Sequence, residues 1–208
     1  MKNEKLRRIR PLHFLISHLL FFIFHFSPVA SAQLAIVNDP DGYTNVREGK
    51  GLNYKILGRF TEDDVFMCDA GEDEQWRGIW DSTLTGFVHN TRLRPIDQLP
   101  HIPTDSAHRT LREEELIIHN DSIQFQIITT TGQKQIAEFF LQIGNKRVSI
   151  PSAMWTDLYE PGIKSLNIYF YKGRIYLYMP YNSHGYSAYA VAWIIKNGKF
   201  LKRYVDAL

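Results

Sequence analysis

The stretch around which the predicted fold is organised is Asp39-Pro40-Asp41-Gly42-Tyr43-Thr44-Asn45-Val46-Arg47. Proline fixes φ and glycine tolerates positive φ, so the pair favours a turn and predicts a strand over residues 43–47. Further short runs rich in apolar residues follow at residues 65–68, 76–80 and 87–89. Short strands separated by glycine-containing turns are typical of a small barrel or sandwich.

In their order, these segments resemble the bacterial SH3-like (SH3b) domain over residues 36–95. The resemblance is carried by Asn45-Val46-Arg47, Gly49-Lys50-Gly51, Tyr54-Lys55-Ile56-Leu57-Gly58, a strand bearing Trp76 and Trp80, and Gly86-Phe87-Val88-His89. It implies a small barrel over residues 33–97 that folds on its own and acts as a binding module. One departure is Gly78, where the family usually has an aliphatic residue. A β-bulge or a longer loop at residues 81–85 would accommodate this glycine.

The resemblance also implies a ligand groove between the first long loop and the aromatic strand. The candidate ligand-binding residues are Tyr43, Asn45, Arg47, Tyr54, Trp76 and Trp80. Tyrosine and tryptophan bury large areas with few rotatable bonds, which suits a peptide from the cell wall or from another extracytoplasmic source. Arg47 can either pair with a ligand carboxylate or brace the acidic loop near Glu72.

Residues 113–208 predict a second β-rich, sandwich-like unit, so the expected fold class is all-β throughout. Residues 98–112 contain two prolines and no apolar period, which predicts a linker. Strand pairs are expected around Gly144-Asn145 and Asn197-Gly198, two turn signals, although residues 136–143 also fit one face of a helix. Pro151-Ser152 predicts a short helix with Ser152 as its N-cap.

The hairpin around Lys172-Gly173 can be assigned by face. Pairing Tyr171 with Arg174 gives an apolar face on which Phe170 lies opposite Ile175 and Ile168 opposite Leu177. The other face carries four tyrosines: Tyr169, Tyr171, Tyr176 and Tyr178. An exposed tyrosine ladder would be a second surface for sugar or peptide, and the alternative is cross-strand stabilisation or cover by another segment. Residues 179–203 resemble a carboxy-terminal unit of exported SH3-containing proteins of unknown function.

Residues 1–32 have the order of a signal peptide. Five Lys and Arg residues precede a mostly apolar run at residues 12–26, and Ala30-Ser31-Ala32 predicts cleavage before Gln33. The alternative is an anchoring helix, but the run is shorter than the roughly 20 residues that a membrane span needs. The expected location is therefore the periplasm or the extracellular space, with membrane contact only before cleavage.

The charge balance argues against a nucleic-acid partner. Residues 1–32 hold five of the 24 Lys and Arg and one of the 22 Asp and Glu, which leaves 19 basic and 21 acidic residues and a net charge of −2. Binding to phosphates requires a basic surface.

No residue pattern indicates catalysis, a metal site or a cofactor. The one cysteine, Cys68, lies in an apolar run and is expected to be a buried small hydrophobe. Ser183 and His184 are adjacent in sequence, and the side chains of adjacent residues seldom point at each other. The pair is therefore not expected to act as a nucleophile and its base. The sequence therefore predicts a non-catalytic binding protein. The alternative is an interaction or inhibitor (immunity-type) protein that acts through the carboxy-terminal unit.

Overall fold

The computed structural model describes residues 32–69, 75–180 and 189–207, and the architecture is all-β, as the sequence predicts. The first sheet has seven antiparallel strands in the order β3-β2-β6-β5-β4-β1-β7. These are β1 (Ala32–Val37), β2 (Tyr43–Arg47), β3 (Ile56–Thr61), β4 (Val65–Asp69), β5 (Trp76–Trp80), β6 (Thr85–His89) and β7 (Leu93–Pro95). In β2, Thr44 and Val46 are buried, so Tyr43, Asn45 and Arg47 share the opposite face.

The first sheet curls around a core of its own. Phe60 of β3 and Phe66 of β4 stack with ring centroids 4.4 Å apart, although three strands separate β3 from β4 in the sheet order. A flat sheet would hold these rings more than ten ångströms apart, because neighbouring strands are about 4.8 Å apart. Val46, Ile79 and Val88 belong to the same buried core.

The second sheet has five antiparallel strands in the order β12-β11-β10-β9-β8. These are β8 (Arg109–Leu111), β9 (Glu115–His119), β10 (Ile123–Thr129), β11 (Ile136–Ile143) and β12 (Lys146–Arg147). The turn predicted at Gly144-Asn145 is confirmed, because Gln142 pairs with Arg147 across it. The helical alternative for residues 136–143 is wrong, since this stretch pairs along its length with β10.

The third sheet contains β13 (Asn167–Tyr171), β14 (Arg174–Met179), β15 (Tyr189–Lys196) and β16 (Lys199–Ala207), in that order. The predicted register of the β13–β14 hairpin is confirmed pair by pair, from Asn167 opposite Tyr178 to Tyr171 opposite Arg174. The turn at Asn197-Gly198 is confirmed as well, and both residues have positive φ, as a tight hairpin of this kind requires.

The third sheet is the middle layer of the molecule. One face, with Ile168, Leu177 and Trp193, packs on the core side of the second sheet. The other face packs on the first sheet, and this shared core contains Leu34, Ile36, Val65, Met67, Ile96, Leu99, Tyr176, Tyr178, Ala190, Ala192 and Ile194. Burial on both faces explains why β15 is an almost continuous apolar run.

This packing corrects the expectation of an exposed tyrosine ladder. Tyr176 and Tyr178 are only 1% and 5% exposed, because the first sheet covers their face. Tyr169 and Tyr171 are half-buried at its margin, and the Tyr171 hydroxyl donates to the Asn38 side-chain oxygen at 2.5 Å. The sequence left open the alternative that another segment covers these tyrosines. The structure agrees with that alternative, and the first sheet is the cover.

Ion pairs join the first and third sheets beside the shared core. The turn between β3 and β4 carries three consecutive acidic residues, and three basic residues of the third sheet meet them. Arg174, whose side chain is 3% exposed, places Nη2 2.6 Å from Asp63 Oδ1 and 2.9 Å from Glu62 Oε1. Lys196 lies 2.9 Å from Asp63, and Lys202 lies 2.7 Å from Asp64.

Residues 98–112 are packed, which corrects the expectation of a linker. Leu99 and Ile102 are buried, and the Ile102 amide donates to the Ile168 carbonyl of β13 at 3.0 Å. The same stretch supplies β8, which pairs with β9. The described residues from Ala32 onward accordingly belong to one compact unit. Pro100 and Pro103 can be accommodated because this segment lies along β13 at the edge of the third sheet, where few backbone N–H donors are needed.

Two local expectations are also wrong. The short helix at Ser152–Met154 is a 3-10 turn whose N-cap is Pro151, with no capping hydrogen bond from a side chain. Of the two alternatives for Gly78, the β-bulge is wrong, since β5 pairs with β6 without a register shift, and residues 81–84 form the loop between these strands. A Cβ at Gly78 would lie 2.4 Å from Asp69 Oδ2, so the glycine makes room for that carboxylate.

Candidate functional site

A cleft of about 180 Å³ opens on the face of β2 that is turned away from the first-sheet core. Its lining residues are Asp39, Asp41, Tyr43, Thr44, Asn45, Arg47, Leu52, Trp76, His89 and Arg92. We call it the β2 cleft. It brings together four of the six candidate ligand-binding residues, namely Tyr43, Asn45, Arg47 and Trp76. Three of them share one face because strand residues alternate, and Trp76 comes from β5.

Arg47 holds the loop that follows its own strand. Its Nη1 donates to the carbonyl oxygens of Leu52 at 2.8 Å and of Tyr54 at 2.9 Å. Among the described residues, no carboxylate lies within 4.0 Å of this guanidinium, and its other nitrogens make no hydrogen bond. Arg47 therefore fixes one wall of the β2 cleft and keeps donors for a ligand.

Tyr54 and Trp80 lie outside the cleft. The Tyr54 ring covers Gly49 and Gly51, and a Cβ at Gly49 would lie 2.6 Å from two of its ring carbons. The ring is nevertheless 51% exposed on its outer side. Trp80 is half-buried against the core shared by the first and third sheets, which gives it a packing role.

An aromatic pair forms the opposite wall. Trp76 of β5 pairs with His89 of β6, and their rings meet edge to face with centroids 5.3 Å apart. His89 Nδ1 lies 2.9 Å from the Thr91 hydroxyl oxygen, which fixes the imidazole. The Trp76 ring is thus held in place by its neighbour before any ligand arrives.

The cleft carries both signs of charge. Asp39 is 4% exposed, accepts from the Asp41 amide at 3.0 Å, and forms an ion pair with Arg92. Burial alone would raise the pKa of Asp39, but the Asp41 amide, Arg92 and Lys172 together lower it, so the carboxylate stays charged. Asp41 is exposed beside it. The lining of the β2 cleft therefore contains cationic groups as well as carboxylates.

Sequence reasoning missed four charged or ionisable members of the cleft, namely Asp39, Asp41, His89 and Arg92. Asp39 and Asp41 were assigned only to a turn, yet a turn that enters a strand places its side chains beside the first strand residues. The turn before Tyr43 was therefore a usable signal. His89 and Arg92 had no such signal, because their positions depend on β6 returning beside β2.

Cys68 is fully buried, as predicted, and burial raises its pKa to about 11. Its thiol is therefore protonated at neutral pH. Within the described ranges, no three His, Cys, Asp or Glu residues are grouped so that they could hold a metal ion.

Several expectations fall on residues outside the described ranges. They are the signal peptide up to Ser31, the acidic loop containing Glu72, and the pair Ser183-His184. In the part of the chain that the structure describes, no helix has the length and apolar character needed to cross a bilayer. Comparison with family models finds no match for this chain, and comparisons with curated proteins and with solved structures find none either.

Proposed function

We propose that the chain is an exported, non-catalytic binding protein whose first sheet is an SH3b-like barrel and whose β2 cleft binds a peptide. The ligand is a cell-wall peptide or another extracytoplasmic peptide. The observation that carries the proposal is the meeting of Tyr43, Asn45, Arg47 and Trp76 in one cleft. The family resemblance implies these residues from the sequence alone, so their convergence in one cleft supports the proposal.

The shape of the first sheet also supports a barrel. Phe60 and Phe66 stack across a sheet whose order separates their strands, which requires strong curvature. Small antiparallel barrels close in this way around a single layer of side chains.

The chemistry of the cleft fits a peptide. The rings of Tyr43 and Trp76 offer flat apolar surface, and the Asn45 amide can both donate to and accept from a peptide backbone. Arg47 and Asp41 offer opposite charges to side chains or chain termini.

Co-sedimentation with purified cell-wall sacculi tests the proposal. Tyr43→Ala should weaken binding about thirtyfold, which corresponds to loss of an anchor worth about 2 kcal/mol. Tyr159→Ala is the matched control, because Tyr159 is also an exposed tyrosine, at 48% against 38%, on a different part of the surface.

Equal binding by both variants would contradict the proposal. Binding by neither variant nor the unchanged protein would exclude the cell wall as the source of the peptide. Thermal unfolding of each variant shows whether the fold is intact.

A further inference from the structure

Exposed apolar side chains are concentrated beside the β2 cleft. Leu52 is 74% exposed, Tyr54 51%, Ile56 48% and Leu57 44%, all within six consecutive residues. We call these four residues the apolar patch. Among the residues that the structure describes, the other large exposed hydrophobic residues, apart from Tyr43 on the neighbouring strand, are Leu111 on β8, Tyr159 in a loop, and Leu201 and Val205 on β16. Several large exposed apolar residues close together in the chain indicate an interaction surface more often than single scattered ones do.

The patch is continuous with the cleft. Leu52 lines the cleft and belongs to the patch. Ile56 is the partner of Arg47 in the β2–β3 ladder. A ligand seated in the cleft can therefore extend over β3, which is an edge strand of the first sheet.

The loop that carries Leu52 and Tyr54 is held in one conformation by hydrogen bonds, and it leads directly into Ile56 and Leu57 of β3. Arg47 binds two of its carbonyl oxygens, and the Glu48 amide donates to the Lys55 carbonyl at 3.0 Å. The Tyr54 ring closes over Gly49 and Gly51. Because the apolar side chains are presented on an ordered loop, binding needs little further loss of conformational entropy.

The surroundings of the patch are basic. Residues 47–59 contain four Lys or Arg residues and one acidic residue, Glu48. Within the described ranges, no carboxylate lies within 4.0 Å of Lys55 or Arg59, and the Arg59 guanidinium lies over the Tyr43 ring at 5.4 Å. Arg174, Lys196 and Lys202, by contrast, are all paired with carboxylates. Lys55 and Arg59 thus have no carboxylate partner among the described residues.

We infer that the β2 cleft and the apolar patch together bind an extended protein segment in which aliphatic side chains stand beside Asp or Glu. The aliphatic side chains cover Leu52, Ile56 and Leu57, and the carboxylates pair with Arg47, Lys55 and Arg59. The inference rests on the proposed function, because it extends the cleft ligand, and it narrows that ligand to a protein chain.

Charge favours this occupant over a second copy of the chain. Two copies packed through the patch would bring Lys55 and Arg59 close to the same residues of the other copy, and like charges repel. An acidic segment removes this repulsion and gains attraction instead.

Selection from a phage-displayed library of random linear peptides on the immobilised, purified protein tests the inference. Enriched peptides should combine Asp or Glu with Leu, Ile, Val or Phe. A synthetic peptide of the commonest enriched sequence then serves as the probe in fluorescence anisotropy titrations.

Matched variants locate the binding surface. Leu57→Ser should weaken probe binding about tenfold, whereas Leu111→Ser should leave it unchanged, since the two leucines are 44% and 43% exposed. Lys55→Glu should weaken binding at least as much, whereas Lys134→Glu, at an exposed position of the second-sheet unit, should not.

Failure to enrich acidic and aliphatic peptides, or equal probe binding by Leu57→Ser and Leu111→Ser, would overturn the inference. If sacculi binding still requires Tyr43 in that case, the proposed function stands without it. Sedimentation with phosphatidylglycerol-containing vesicles but not with phosphatidylcholine vesicles, lost in Lys55→Glu, would assign the patch to a lipid surface instead. A dimer in sedimentation equilibrium that Leu57→Ser dissociates would assign it to a second copy.

Discussion

Two glycines beside β2 differ in what a side chain would meet. A Cβ at Gly86 would lie 2.5 Å from the Arg47 carbonyl oxygen, whereas a Cβ at Gly49 would meet only the Tyr54 ring, which is half-exposed and can move. Gly86→Ala should therefore reduce the free energy of unfolding by about 3 kcal/mol, and Gly49→Ala by less than about 1 kcal/mol. Urea unfolding of both variants measures this difference, and equal losses would contradict it.

The sequence located these glycines without explaining them. Gly86 belongs to the motif that carries the SH3b resemblance. The structural reason for a glycine at this position is the close approach of β6 to the backbone of β2. Similarly, Arg47 was expected to pair with a ligand carboxylate or to brace the acidic loop near Glu72, and neither expectation includes its two contacts with carbonyl oxygens of the following loop. The type of a residue predicts which interactions its side chain can make. Its actual partner depends on which other segment of the chain the fold places beside it.

The β13–β14 hairpin shows which structural features follow from the local sequence and which depend on distant parts of the chain. Its register follows from the two-residue turn Lys172-Gly173 and from period-two alternation, so it could be predicted completely. The cover over Tyr176 and Tyr178 comes from β1 and β4, more than 100 residues earlier in the chain, and nothing in the hairpin indicates it. The packed stretch at residues 98–112 was missed for the same reason.

The turn between β3 and β4 should make stability depend on pH. A hydrogen bond from Lys196 lowers the pKa of Asp63, burial opposes this, and Arg174 lowers it further, with a lowered pKa as the net result. The stabilisation is present above the unfolded pKa of about 3.9 and is lost as pH falls through the folded pKa. Asp63→Asn should therefore lower the Tm at neutral pH, and the two Tm curves should converge in acid.

Calorimetry from neutral pH down to about pH 2 measures this convergence. Asp121→Asn is the control, because Asp121 is exposed and pairs with no basic residue among those described. A constant Tm difference between Asp63→Asn and the unchanged protein at every pH would contradict the assignment of this carboxylate to the acid-sensitive ion pairs.

The three-layer arrangement predicts that the first sheet, when expressed without the rest of the chain, is less stable because one of its apolar faces is uncovered. A fragment of residues 33–97 would expose Leu34, Ile36 and Met67, which the third sheet covers in the whole molecule. We expect this fragment to keep a strand-rich circular dichroism spectrum, to bind the dye ANS, and to unfold at lower urea concentration than the full chain. A fragment as stable as the full chain, without dye binding, would support independent folding as the sequence suggests.

The same arrangement has a consequence during translation. Asn38 and Tyr171 meet in the folded molecule but lie 133 residues apart in the chain. At ordinary elongation rates the ribosome releases the first sheet on the order of ten seconds before the strands that cover it. In that interval Leu34 and Met67 lack their cover, and the first sheet can reach its final packing only after β14 and β15 have been synthesised.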